Sequence, residues 1–245
     1  MINVDYQERL QKLKEVLNEG NVVFFGGAGV STESGIPDFR STDGLYNTEY
    51  AYPPEELVSH TFFYQNTKEF YRFYKNKMLF PDAEPNACHK GLAKLEEEGK
   101  LRAVITQNID GLHQKAGSKL VYELHGSVWR NYCTKCKRKH TMYEIMAVKD
   151  VPYCDCGGLI KPDVVLYQEA LDDKTVMGAI RSIANANTLI VGGTSLVVYP
   201  AAGMLRYFRG KNLVVINRTP TYADDSADLL FTEDIGKLFA DLEKM

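Results

Sequence analysis

The sequence predicts a doubly wound α/β fold, a parallel sheet with helices on both faces. Three observations carry this expectation. Short β-branched runs recur along the chain, several of them are apolar on both faces, and helix-period patterns alternate with them. Alternation of that kind builds a parallel sheet, because parallel neighbours need a crossover between them.

In chain order, residues 6–19 read as an amphipathic helix, and Val22-Val23-Phe24-Phe25 follows as a strand that runs into glycines. A helix over 86–98, apolar at Leu92 and Leu95, precedes strands at 103–106 and 120–124. A strand at 164–167, a helix over 173–186, strands at 188–191 and 213–216 and a terminal helix over 235–244 complete the pattern. Two segments break it. Residues 55–78 are rich in aromatics and read as one or two helices, and residues 132–158 hold clustered cysteines and look too polar to make a core of their own. Both read as insertions forming a smaller lobe.

Composition sets the outer limits. A chain of 245 residues with 44% apolar content suits one large domain, or such a domain with a small inserted module. A net charge of −3 argues against a dedicated nucleic-acid binder, which needs a basic face. No apolar run approaches the roughly 20 residues of a membrane helix. The first residues read as an amphipathic helix and not as a signal peptide, so the expected compartment is a reducing cytoplasm. Clustered cysteines there are metal ligands more often than disulfides.

The motifs sit at strand ends. Gly26-Gly27-Ala28-Gly29-Val30-Ser31-Thr32 follows the first strand, where glycines let backbone approach a ligand and a helix N-terminus would favour phosphate. A dinucleotide fingerprint would place a third glycine at Thr32, so an ordinary dehydrogenase is not indicated. A Gly-rich turn that binds nothing is the alternative reading. Gly192-Gly193-Thr194-Ser195 and Asn217 follow two further strands and reach the same edge, although Asn217 also suits a plain strand-end turn. Thr106-Gln107-Asn108-Ile109-Asp110-Gly111-Leu112-His113 packs more polar groups than a turn requires, the alternative being a satisfied loop network. His125 stands just past a strand end, beside a glycine read as keeping space open, and is the best general-base candidate. His60, His89 and His140 read as structural, with His113 only slightly above them as a candidate.

Cys133-Thr-Lys-Cys136 and Cys154-Asp-Cys156 read as a tetrahedral four-cysteine zinc knuckle. The second pair is one residue shorter than usual, which Gly157-Gly158 can accommodate, and His140 is a fallback ligand. Such a site has no open position and is structural. Cys88 reads as a small core residue.

Together, Gly27-Ala28-Gly29-Val30-Ser31, Gly35-Ile36-Pro37-Asp38-Phe39-Arg40, the 106–113 motif, Leu124-His125-Gly126, the cysteine pairs and Gly193-Thr194-Ser195 make the chain resemble the sirtuin (Sir2) family of NAD-dependent protein lysine deacylases, in its compact bacterial and archaeal form. The resemblance runs from about residue 21 to residue 235 with every motif in family order. It implies a Rossmann-like NAD domain from residues 1–46, 79–128 and 161–245. It also implies a small lobe from a helical insertion, 47–78, and a zinc module, 129–160.

The resemblance assigns roles. Ala28, Gly29, Ser31, Thr32, Asp38, Phe39 and Arg40 would line the NAD pocket, with residues 38–46 as a flap over the nicotinamide ribose. Asn108, Ile109 and Asp110 would hold nicotinamide and Gln107 the ribose, while Gly193, Thr194, Ser195, Asn217 and Ile235 would hold the adenosine half. His125 would be the catalytic base, with Asn108 beside it. The acylated peptide would add as a strand between Val164, Val165, Leu166 and Tyr167 on one side and Leu196, Val197 and Val198 on the other. The implied reaction consumes NAD and acetyl-lysine. The acetyl oxygen displaces nicotinamide, His125 deprotonates a ribose hydroxyl, and free lysine and O-acetyl-ADP-ribose result.

Two departures stand out. Phe-Gly-Glu of the family is Tyr167-Gln168-Glu169 here, which puts a side chain at the cleft wall. The Tyr-x-x-Arg pair of desuccinylating members falls on Tyr71 and Tyr74, and a tyrosine cannot supply the cation that a succinyl carboxylate needs. Acetyl or another neutral acyl group is therefore expected. An ADP-ribosyltransferase using the same pocket and a non-catalytic NAD sensor are the alternatives.

Overall fold

The computed structural model describes residues 6–38 and 52–245, and among these six parallel strands form the main sheet: β1 (Val22–Gly26), β2 (Leu101–Thr106), β3 (Val121–Glu123), β7 (Thr188–Gly192), β8 (Asn212–Ile216) and β9 (Leu229–Phe231). Their order is β3-β2-β1-β7-β8-β9. Strand order reverses between β1 and β7, and ligands of open α/β sheets bind outside the carboxyl ends at such a switch point.

Period-2 alternation divides the core. Val22 and Phe24 pack on one face with α1 (Tyr6–Glu19), α5 (Ala87–Glu97) and α9 (Ile235–Glu243). Val23 and Phe25 pack on the other with α8 (Asp173–Ala184). Helix starts follow capping chemistry: Asn86 accepts from Cys88 N at 3.0 Å, and Asp172 from Thr175 N at 2.8 Å. Cys88 is fully buried in the first of these cores, as expected.

The smaller lobe combines both irregular segments. Helices α2 (Pro54–Leu57), α3 (His60–Gln65) and α4 (Thr67–Lys77) come from the first. An antiparallel sheet of β5 (Lys139–Thr141), β4 (Gly126–Cys133) and β6 (Ile160–Val164) with α7 (Met142–Ala147) surrounds the second. Phe62, Phe63, Phe70, Tyr71, Phe73 and Tyr74 share one core with Cys133, Cys154, Ile160 and Val164. The cysteine segment, too polar to pack alone, is packed by the aromatics of the other insertion.

The remaining helix, α6 (Leu112–Ala116), follows the 106–113 motif. Two expectations are corrected. The run at 164–167 is no strand of the parallel sheet: β6 ends at Val164 and pairs antiparallel with β4, so the small sheet extends past the boundaries 128/129 and 160/161. Edge strand β9 was not anticipated, since three residues without β-branching give little periodic signal. Among the described residues, no helix is long and apolar enough to cross a membrane.

Candidate active site

Register brings the motif-bearing strand ends level. Gly26 pairs with Thr106 and Gly192, and Gly192 with Ile216, so Gly27, Gln107, Gly193 and Asn217 emerge side by side. The two Gly-rich turns lock together: Gly29 N donates to Gly193 O at 2.8 Å, and Gly27 N to Gly192 O at 3.2 Å. A Cβ on Gly29 would lie 2.9 Å from Gly193 Cα, and Gly193 itself has φ +57°. These glycines are therefore needed for turn-to-turn approach, and Gly27, Gly29 and Gly193 also line the cleft described below. Ala28–Val30 and Thr32–Ser34 are 3-10 turns, so no α-helix N-terminus follows β1.

Beside them lies a polar chain. Asn108, buried, donates from Nδ2 to Ser31 Oγ at 3.0 Å, and Ser31 Oγ donates to Asp110 Oδ2 at 2.7 Å. Asp110 Oδ1 accepts Leu112 N at 2.9 Å, and Trp129 Nε1 donates to Asp110 O at 2.6 Å. Burial raises the Asp110 pKa, and the bonds from Leu112 N–H and the Ser31 hydroxyl oppose that rise. Gln107 Nε2 donates to Thr194 Oγ1 at 3.0 Å, tying this motif to the second Gly-rich turn.

His125 sits in the turn between β3 and β4. Its Nδ1 lies 2.9 Å from Gln107 O. A carbonyl only accepts, so Nδ1 carries the proton and Nε2 keeps its lone pair. Burial lowers the His125 pKa below the ordinary imidazole value, opposed by the bond to Gln107 O, so the ring is neutral near pH 7. An oriented, neutral imidazole with Nε2 as acceptor is a base. Contrary to the expectation from the sequence, Gly126 does not keep space open. At φ +75° it packs β4 onto β6, where a Cβ would collide with Asp163 O.

A cleft of about 470 Å³ joins these groups, a size suited to a small ligand. Ala28, Gly29, Ser31, Asp38, Gln107, Asn108, Ile109, Asp110, His125, Gly193, Thr194, Ser195, Asn217 and Ile235 line it, as do Val164, Val165, Leu166, Tyr167 and Val198. Thr32, Leu196 and Val197 do not. The Thr32 hydroxyl donates to Gly29 O, Leu196 is buried in the core, and Val197 faces solvent. Phe39, Arg40 and most of the expected flap lie outside the described residues. Asn217 Nδ2 donates to Thr219 O at 2.7 Å, so the strand-end turn also exists. Val58, Met78 and Val128 give the cleft an apolar wall that the sequence did not single out, because each lies outside any motif. Tyr71 and Tyr74 are absent from that wall: both are core residues, and the Tyr71 hydroxyl donates to Ile160 O. The N–H groups of Val165, Leu166 and Tyr167 are donated to His125 O, Glu169 Oε2 and Val58 O. A strand added there would bond to carbonyls or to groups beyond Tyr167.

The four cysteines converge. All four Sγ atoms lie within 4.8 Å of one another, with Cys133 to Cys156 at 3.4 Å and Cys136 to Cys154 at 3.7 Å. Zn–S bonds of ~2.3 Å in a tetrahedron place sulfurs about 3.8 Å apart, so the donor set fits zinc; a disulfide would need ~2.05 Å. Gly157 at φ +75° closes the short pair, with Gly157 N donating to Cys154 O at 2.8 Å. His140 is not part of this donor group, which the four thiols complete, and its Nδ1 lies 3.1 Å from Glu144 Oε1.

The sequence of residues 27–200 matches the model of the Sir2 family. The chain belongs to the Sir2 family. Two sirtuin relatives, both called NAD-dependent protein deacetylase, come from Clostridium acetobutylicum and Clostridium perfringens. The first is 56% identical over 94% of this chain and 96% of its own; the second is 59% identical over 94% and 97%. A solved Sir2 structure with deacetylated p53 peptide and 3′-O-acetyl ADP-ribose superposes with a TM-score of 0.87 at 42% identity, covering 96% of this chain and 97% of that one. A Sir2 structure with p53 peptide and NAD+ gives 0.84, also at 42%, over 96% and 97%.

Proposed function

We propose that this sirtuin is an NAD-dependent protein lysine deacetylase that yields free lysine, nicotinamide and O-acetyl-ADP-ribose. The observation that carries this reading is His125: a neutral imidazole, oriented by Gln107 O, in a cleft shared with the buried Asn108–Ser31–Asp110 chain. Binding alone needs no base there. The deacetylase names of the relatives, and the peptide, NAD+ and acetyl ADP-ribose in the solved neighbours, support it.

NAD would bring an electrophilic ribose carbon with nicotinamide as its leaving group. Gly193, Thr194, Ser195, Asn217 and Ile235 would hold the adenosine half, and Gln107 the ribose. Asn108, Ile109 and Asp110 would hold the carboxamide end, where Asp110 is held in place by Leu112 N and Ser31. Ala28, Gly29, Ser31 and Asp38 complete the proposed NAD site on the cleft wall, with Phe39 and Arg40, outside the described residues, proposed to follow them; Thr32 is left to the turn. His125 Nε2 takes up a proton from a ribose hydroxyl, while Val58, Met78 and Val128 keep water from that side. The acyl peptide would lie between residues 164–167 and Val198, and zinc on Cys133, Cys136, Cys154 and Cys156 would hold the small lobe without entering the chemistry. With β4 and β6 counted in the small lobe, the proposed lobes are 1–46, 79–125 and 165–245 against 47–78 and 126–164, and the proposed compartment is the cytoplasm.

A neutral acyl group fits this cleft better than succinyl, because Tyr71 and Tyr74, which stand where a Tyr-x-x-Arg pair would, are buried core residues and bring no cation to the apolar wall of Val58, Met78 and Val128. Mass spectrometry of the products should show O-acetyl-ADP-ribose formed one for one with deacetylated peptide, and acetyl-lysine turned over faster than succinyl-lysine. Faster desuccinylation contradicts the acyl assignment and directs attention to Lys77, which also lines the cleft.

A further inference from the structure

Residues 165–169 form one wall of the cleft. Their backbone is fastened to the start of α3: Tyr167 N donates to Val58 O at 3.0 Å, and His60 N to Tyr167 O at 2.9 Å. Glu169 anchors the far end. Its Oε1 lies 2.9 Å from His60 Nδ1, while Oε2 accepts buried Lys161 Nζ at 3.0 Å and Leu166 N at 2.9 Å. Gln168 stands between these ties at φ +75°, a left-handed conformation that glycine adopts freely and a residue with a Cβ does not. Its Oε1 accepts both Thr61 N, at 3.0 Å, and Thr61 Oγ1, at 2.7 Å. Strain of this kind persists only where the surroundings over-determine it, and here the double bond to Thr61 does so.

We propose that Gln168 is a specificity-determining positioning residue: through Thr61 it locks residues 165–169 against α3 and sets the acyl-peptide side of the cleft. The physical reason is spacing. A peptide added as a strand must lie about 4.8 Å from its neighbour, and a wall already held in one place by its ties to Val58, His60 and Thr61 binds it without first being ordered. With Gln168 in place, backbone, amide and carboxylate ties follow one another at 167, 168 and 169, and the wall cannot swing away from the helix. A glycine at 168 relaxes φ and removes the middle tie, so it separates the backbone conformation from the function of the side chain.

The test compares Gln168→Gly, Gln168→Glu, Thr61→Val and the Gln168→Gly/Thr61→Val pair. The kinetic arm rests on the deacetylase reading. Gln168→Gly should raise the KM for acetyl-lysine peptide about 3- to 10-fold, the worth of a neutral hydrogen bond or two, with kcat and the KM for NAD unchanged. Gln168→Glu, which keeps the acceptor oxygen, should restore the peptide KM. Thr61→Val should show a smaller rise that disappears in the Gln168→Gly background. Hydrogen exchange at Thr61 N reads the tie independently of turnover and should speed up about 10-fold in Gln168→Gly. A wild type that releases no nicotinamide refutes the deacetylase reading and leaves the exchange arm to decide whether Gln168 holds the wall. Unchanged exchange, an unchanged peptide KM in an active enzyme, or a loss spread equally over kcat and the KM for NAD overturns the assignment.

Discussion

At the scale of single residues, His125 is set up by one backbone carbonyl and by burial. Its pKa is lowered, so the unprotonated form, the one proposed to act as base, fills as pH rises through a value below about 6.5 and stays filled above it. The kcat/KM for acetyl peptide should therefore fall on the acid side through one ionisation below 6.5, and His125→Ala should lose about 10²- to 10⁴-fold. An acid limb centred above 7 would contradict the assigned base. Gly126→Ala should cost at least about 2 kcal/mol in urea melts, since the position is left-handed and β6 backbone blocks a Cβ. Much at this scale was legible. Asn108, Asp110 and His125 stand out because polar side chains crowd the residues just after strands. The role of Gly29 was not, because its partner, Gly193, lies far along the chain and only strand register brings the two turns together.

At the scale of elements, hydrophobic period located α1, α5, α8, α9 and the inner strands to within a few residues, because each buries a continuous stripe or a two-sided run. It failed where neighbours decide the outcome. Val164 belongs to a small antiparallel sheet whose partner, β4, also carries the turn after His125, and no local pattern at 164–167 announces that. The cysteine segment was read correctly for its ligand set, since spacing alone carries that signal. Purified protein should hold one zinc per chain. Cys133→Ala should lose it and drop the Tm by about 5 °C or more, because metal binding is part of the folding energy of so small a module. Full zinc retention in a Cys154→Ala, Cys156→Ala double variant would disprove the four-thiol site.

At the scale of the whole molecule, two insertions that are unrelated in sequence pattern share one core, and the cleft opens where that lobe meets the switch point of the sheet. The existence of a second lobe was legible from the break in alternation; the shared core was not, since it joins segments separated by most of a domain. Beneath the sheet edge, His89 and His113 pack ring to ring, 4.7 Å between centroids, both buried. Burial pushes His89 down to about 4 and His113 well below its ordinary value, the latter helped by its neighbour. Above pH 6.5 both are neutral in either state and cost nothing. As pH falls below 6.5 the unfolded chain takes up protons first, so stability drops until the folded rings also titrate. His89 alone should remove about 2 kcal/mol between pH 7 and pH 5, measured by urea unfolding. A flat profile over that window contradicts the buried pair.

A deacetylase reading of this sirtuin requires the His125 cleft to couple NAD cleavage to acyl-lysine. Its most direct test is nicotinamide release with and without acetylated peptide, on wild type and His125→Ala. Release that requires peptide in the wild type, with no O-acetyl-ADP-ribose from His125→Ala, is the predicted result. Release without peptide, with ADP-ribose label appearing on protein, would contradict it.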